Sequence, residues 1–95
     1  MLTIDQIKDV ASSIAAYHSI KKISLFGSYA DGTANENSDI DLLIEFLIPN
    51  VSLLTLSNIK NELEDKLKKS VDIIHMPITK ESLLEFNKVI DLYEQ

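Results

Sequence analysis

The chain has no cysteine, no tryptophan and no arginine, and only two glycines and two prolines. Without cysteine it has neither a disulfide framework nor a thiolate metal site. Without arginine it has no bidentate guanidinium clamp for a phosphate, because all nine basic residues are lysines. No apolar run approaches the ~20 residues that span a bilayer, and the N-terminus lacks a signal peptide's charged-then-apolar layout. The expected compartment is the cytoplasm. Acids outnumber lysines by fifteen to nine, a formal net charge of −6. That balance argues against DNA or RNA as a major bound surface, since phosphate backbones demand clustered cations. It suits a basic protein partner.

What is present is ordinary folding material. With 45% hydrophobic and 25% charged residues the chain is globular, and its 95 residues form one expected domain, 1–95. A domain this small buries little more than ~60% of its unfolded surface. Thr3 and Gln6 are spaced as a capping box. Ile4, Ile7, Val10, Ala11 and Ile14 then recur at helical spacing, which predicts an amphipathic helix over 4–17. His18 at its end reads as an isolated surface histidine. Lys21-Lys22 lead into a predicted strand over 23–26. They read as solvated charges, with nucleotide phosphates as the alternative.

The organising stretch is 23–46, ISLFGSYADGTANENSDIDLLIEF. An apolar strand breaks at Gly27-Ser28, a polar segment follows, and a second strand is entered through Asp39-Ile40-Asp41. Glycine at a strand end allows a bend and a close ligand approach. A short helix from Ser28 through Ala30 would offer amides and a hydroxyl to a phosphate. Period two puts Asp39, Asp41, Leu43 and Glu45 on one face, and Ile40, Leu42, Ile44 and Phe46 on the other, apolar one. Two carboxylates about 6.6 Å apart along a strand repel unless a cation or water intervenes. Mg²⁺ takes such oxygens, commonly with substrate phosphates. Gly-Ser alone would equally read as a surface turn before an edge strand with exposed acids. Between them, 31–38 is turn chemistry, with Gly32 and Asn35 suited to positive φ, and is expected to order when metal and nucleotide arrive.

Beyond Pro49-Asn50, Ser52 caps a predicted helix to about Lys69, with Leu53, Leu56, Ile59, Leu63 and Leu67 as its buried stripe. Glu62–Lys66, Glu64–Lys68 and Asp65–Lys69 are spaced for i,i+4 pairing, each worth a few tenths of a kcal/mol. The run 71–75 predicts a third strand. Asp72 within it is costly in a buried sheet unless a metal or donor compensates, a merely exposed strand acid being the alternative, and His75 points to the opposite face. Pro77 ends the strand and Thr79 caps a short helix through Phe86. The segment 88–94 reads equally as strand or helix.

Gly27-Ser28, ten residues, then Asp39-x-Asp41 matches the G-S-x10-D-x-D signature of the DNA polymerase β-like nucleotidyltransferase superfamily. The wording FGS…SDIDLLIE resembles its minimal members, the MNT group paired with HEPN proteins, over roughly residues 3–94. The resemblance implies an α/β (α+β) core, a small mixed sheet with helices packed mainly on one face. It further implies two Mg²⁺ ions held by Asp39, Asp41 and Asp72, ATP as substrate, and its β- and γ-phosphates on Gly27 and Ser28. One departure stands out: the group often carries arginines just after Gly-Ser, where this chain has Tyr29-Ala30-Asp31. Larger superfamily members add an acceptor domain; here the acceptor is expected on another polypeptide. In MNT–HEPN pairs that is a helical RNase toxin, AMP-modified on a tyrosine, which implies an antitoxin in a possible hetero-oligomer. A small-molecule, antibiotic-type nucleotidyltransferase and a non-catalytic antitoxin module are the alternatives.

Overall fold

The computed structural model describes residues 1–75 and 88–95. Elements run in the order α1 (Ile4–Ala15), β1 (Ile20–Phe26), α2 (Ser28–Asp31), β2 (Ile40–Phe46), α3 (Leu53–Leu67), β3 (Val71–His75) and β4 (Ile90–Glu94). The four strands form one sheet in the order β3-β2-β1-β4. β1 is antiparallel to both β2 and β4, whereas β2 and β3 are parallel and are joined through α3. The crossover follows from geometry: parallel neighbours need a long connection, which α3 supplies. The mixed sheet and its α-helical cover match the fold class expected from the sequence.

α1 starts where the capping box places it. The Gln6 amide donates to the Thr3 hydroxyl at 3.1 Å, and the Thr3 amide to Gln6 Oε1 at 2.8 Å. Its buried stripe is Ile7, Ala11, Ile14 and Ala15. α3 is capped by Ser52, whose hydroxyl accepts from the Thr55 amide at 3.1 Å. It ends at Lys68, the one non-glycine residue with positive φ (57°) among those described, a helix stop more often made by glycine. Both helices lie on one face of the sheet, packing on each other, α1 on β1 and β4, α3 on β3. Between them and the sheet, Ile23, Leu25, Ile40, Leu42, Ile44, Val71 and Leu92 join the helical stripes in one core. Each fully buried Ile or Leu contributes about 1.5–3 kcal/mol, so this layer fixes the strand register.

Several expectations are corrected. β1 begins at Ile20, so Lys21 and Lys22 lie within the strand rather than ahead of it. They face carboxylates: Lys21 is 3.8 Å from Glu45, and Lys22 is 3.5 Å from Asp91 and 3.9 Å from Glu94. His18 is not isolated, since Glu62 lies 3.6 Å away. That contact replaces the expected Glu62–Lys66 pair. Glu64 likewise accepts the Val71 amide at 2.9 Å, and Asp65 meets Lys68 one residue short of the expected spacing. Charges on a helix take tertiary partners where the fold offers them. The α3 stripe narrows to Ile59, Leu63 and Leu67, and Leu53 is 81% exposed. The C-terminal ambiguity resolves as strand, because β1 offers β4 an edge. The predicted helix from Thr79 to Phe86 and the Pro77 stop lie outside the described residues. No helix among the described residues is long and apolar enough to cross a membrane.

The stripe correction is testable. Leu63→Ala is expected to lower the unfolding free energy by about 2–5 kcal/mol. Leu53→Asn should change it by less than about 0.5 kcal/mol. Urea denaturation of both variants measures the difference.

Candidate active site

The strand β1 ends at Phe26, and Gly27 turns the chain with φ 73° and ψ −154°, a region reserved in effect for glycine. A second constraint acts at the same residue. A Cβ built on Gly27 would overlap the Asp41 carboxylate oxygen and sit 3.1 Å from its Cγ. The close approach the sequence assigned to a ligand is, in the fold, an approach of bare backbone to Asp41. α2 follows for one turn. It is too short to build a macrodipole, so what it contributes is the Ser28 hydroxyl and the direction of its first amides.

The polar segment after α2 is held by its own hydrogen bonds. The Ser28 carbonyl accepts from the amides of Gly32, Thr33 and Ala34 at 3.1, 3.0 and 3.1 Å. Asn35 takes no positive φ; its side chain accepts from the Asn37 amide at 2.8 Å, and its own amide donates to the Ser38 hydroxyl at 2.9 Å. The Lys69 ammonium donates to the Glu36 carbonyl. The loop's path is thus set by hydrogen bonds among its own residues and from Lys69. The Asp31 carboxyl is held below its usual range by the Thr33 hydroxyl and amide. Asp31 is fully exposed, so this marks a local turn rather than a reacting group.

Register brings the acids together. Phe26 pairs with Asp41 on β2, and Asp41 pairs with Asp72 on β3; Asp39 sits one residue ahead of β2. Asp39 and Asp72 are exposed and Asp41 is partly buried. Burial pushes the Asp41 carboxyl up, and the like charges of Asp72 and then Asp39 push it further. Asp72 therefore carries no burial penalty, contrary to the sequence argument, because β3 is an edge strand. What ties it to the site is its pairing with Asp41. His75 stands opposite Ile44, three residues from Asp72 and off the acidic face.

These side chains suit a divalent ion in kind. All the donors are carboxylate oxygens, and Asp41 is destabilised by neighbours of its own charge, which a cation would relieve. Among the described residues no three acidic or imidazole groups converge tightly enough to form a closed metal cage. Mg²⁺ does not require one, since it usually keeps waters and binds one or two carboxylates plus substrate phosphates.

Of the three positions after Gly27-Ser28, Tyr29 and Ala30 turn inward and belong to the core, whereas Asp31 is exposed. The Tyr29 hydroxyl is buried with no hydrogen-bond partner among the described residues. Nothing in the local sequence pattern signalled that burial. A cavity of about 380 Å³ lined by His18, Phe46 and Ser52, among others, lies at the far end of β2 from Asp41 and contains no carboxylate. It takes no part in the acidic site.

Strand, glycine turn and paired strand acids together define a nucleotidyltransferase core. Residues 6–92 match the family described as polymerase beta, nucleotidyltransferase, and the chain belongs to it. A protein of Methanocaldococcus jannaschii, named by inference a protein adenylyltransferase, is 41% identical over 96 residues, covering 96% of this chain and 99% of the relative. Two solved complexes share the fold. One chain of a toxin–antitoxin crystal structure with AMP-PNP superposes with a TM-score of 0.77 at 21% identity, over 93% of this chain and 73% of that one. One chain of a tri-AMPylated Shewanella oneidensis HEPN toxin in complex with MNT antitoxin gives 0.72 at 16% identity, over 98% and 74%.

Two outcomes follow for this site. Gly27→Ala should destabilise the protein by about 1–3 kcal/mol, through φ strain and the clash with Asp41, read by urea denaturation. Asp41→Asn should do the reverse. A carboxyl whose folded pKa is raised destabilises the fold in its ionised form, and that cost vanishes as pH falls through the raised pKa. Without divalent ion, Asp41→Asn should melt at or above the wild-type temperature near neutral pH. The difference should shrink as the pH is lowered through the carboxylate range.

Proposed function

We propose that this chain transfers AMP from ATP to a tyrosine of a helical HEPN-type RNase toxin, in the cytoplasm, and so acts as its antitoxin. The observation that carries the reading is the pairing of Asp41 with Asp72 in register, with Asp39 beside them and the Gly27 backbone laid against Asp41. The likeness to a relative named as a protein adenylyltransferase, and to antitoxin complexes with an ATP analogue or an AMPylated toxin, supports it.

The residues divide the work. Gly27 and the Ser28 hydroxyl bind the β- and γ-phosphates, where a hydrogen bond to a charged group is worth about 1.5–3 kcal/mol. Asp39 and Asp41, with Asp72 on the nucleophile side, would hold two Mg²⁺ ions. When bound, these would neutralise phosphate charge and stabilise the attacking and leaving oxygens. Asp41, fixed by strand pairing on both sides, sets the position of the whole group. The chain's net charge of −6 steers it to a protein basic enough to hold RNA. The phosphodiester placed on that partner carries about one negative charge and opposes RNA at its surface.

The test is an intact-mass measurement after incubating the protein with Mg²⁺, ATP and a helical HEPN-type protein from the same organism. An AMP-sized increment on the partner is expected, and its absence with Asp39→Asn. A partner that is silenced yet unmodified would establish the non-catalytic module. An AMP-modified small molecule in place of the protein would establish the antibiotic-type enzyme.

A further inference from the structure

Asp72 has a second set of neighbours. It lines a groove of about 240 Å³ together with Leu53, Leu56, Ser57, Lys60 and Ile73, between the first half of α3 and the start of β3. The size narrows what fits. Sites for drug-sized ligands run to about 300–1,000 Å³, so this groove takes one side chain and not a nucleoside triphosphate. Its chemistry narrows the choice further. Leu53, Leu56 and Ile73 supply aliphatic lining, and Ser57, Lys60 and Asp72 supply polar lining. An aromatic ring with a hydroxyl at its tip satisfies both, whereas a serine or threonine side chain would leave the wall wet. Lys60 has no ion-pair partner among the described residues. Leu53, at 81% exposure, is a large apolar side chain on the groove that the described fold leaves uncovered.

We propose that this groove is the acceptor subsite, holding a tyrosine of a basic protein partner with its ring on Leu53, Leu56 and Ile73 and its hydroxyl between Asp72 and Lys60. The proposal rests on the adenylyl-transfer reading above and assigns the surface that selects the acceptor. It is continuous with the acidic site, since Asp72 belongs to both. The chain's negative charge favours a basic sequence around the tyrosine. In the step itself the phenolic oxygen bonds to the α-phosphorus of ATP and the bond from that phosphorus to the bridging oxygen of the β-phosphate breaks. Pyrophosphate leaves and the phenolic proton goes to water. The Lys60 ammonium offsets negative charge growing on the phenolic oxygen. Lys60 is thus an acceptor-contacting residue that no spacing in the sequence pointed to.

Two measurements test this on the full chain. Titration of the ¹⁵N-labelled protein with N-acetyl-tyrosinamide should shift the amides of Leu56, Ser57, Lys60 and Ile73 saturably. N-acetyl-serinamide should not. Ser57→Trp, which fills the groove, should abolish the shifts, its amide spectrum showing whether it folds. Should it not fold, Lys60→Ala carries the test, because it truncates an exposed side chain. In AMP transfer to the helical partner, Lys60→Ala should raise the acceptor KM by about tenfold, with Mg·ATP affinity held within about twofold. Transfer at wild-type acceptor KM in Lys60→Ala and in a folded Ser57→Trp would overturn the groove and leave the transferase reading standing. Absence of transfer to any acceptor by the wild-type chain would overturn that reading, and the acceptor role with it.

Discussion

The rest of the molecule is arranged around a repulsion. Asp41 is held between Phe26 and Asp72 by strand pairing on both sides, partly buried, with Asp39 two residues before it. The Asp41 backbone cannot move away without breaking the register of two strand pairs, and that of Asp72 is held by one. Burial first, and then the like charges of Asp72 and Asp39, hold the Asp41 carboxyl above its usual range. Held side by side, the carboxylates form a negative site that a cation or a proton relieves. Sites that destabilise their own fold in this way are where function constrains sequence more than stability does.

The rigidity comes from the opposite face. Ile40, Leu42 and Ile44 alternate with the acidic set along β2 and are fully buried, matched by Ile23 and Leu25 on β1 and Val71 on β3. A slip of one residue would send these side chains to solvent and the acids into the core. The hydrophobic layer therefore fixes, at the level of single residues, which carboxylate stands beside which. Gly27 completes the device by allowing β1's end to lie against Asp41. That contact leaves no room for a side chain.

Much of this was legible in the sequence, and the exceptions share a cause. Period two placed the acids on one face, the capping box placed α1, and the spacing of Gly27, Ser28, Asp39 and Asp41 pointed to the family. Local pattern, however, carries no information about tertiary partners. It could not decide whether Asp72 would be buried or exposed, nor say that Glu64 would serve the Val71 amide instead of a lysine, or that Tyr29 would turn into the core. The start of β1 was missed because Lys21 and Lys22 read as polar lead-in, while their pairing with Glu45, Asp91 and Glu94 makes them strand residues. Lys68 was missed as a helix stop because a left-handed lysine leaves no compositional mark.

Leu53 shows the same limit from the other side. Helical spacing counted it into the α3 stripe, yet the core ends at Ile59 and Leu53 and Leu54 stand in solvent at 81% and 72% exposure. Stability does not account for two leucines there, since an exposed helix start gains nothing from them that a polar residue would not supply. The stretch from Phe46 to Ile59 contains no charged residue, in a chain where one residue in four is charged, and Leu53 stands over the groove that ends at Asp72. The groove that Leu53 lines thus joins aliphatic side chains to an acidic one. The stripe that periodicity assigned to the core leaves it in the first turn of α3, where the sheet no longer lies beneath the helix to bury it.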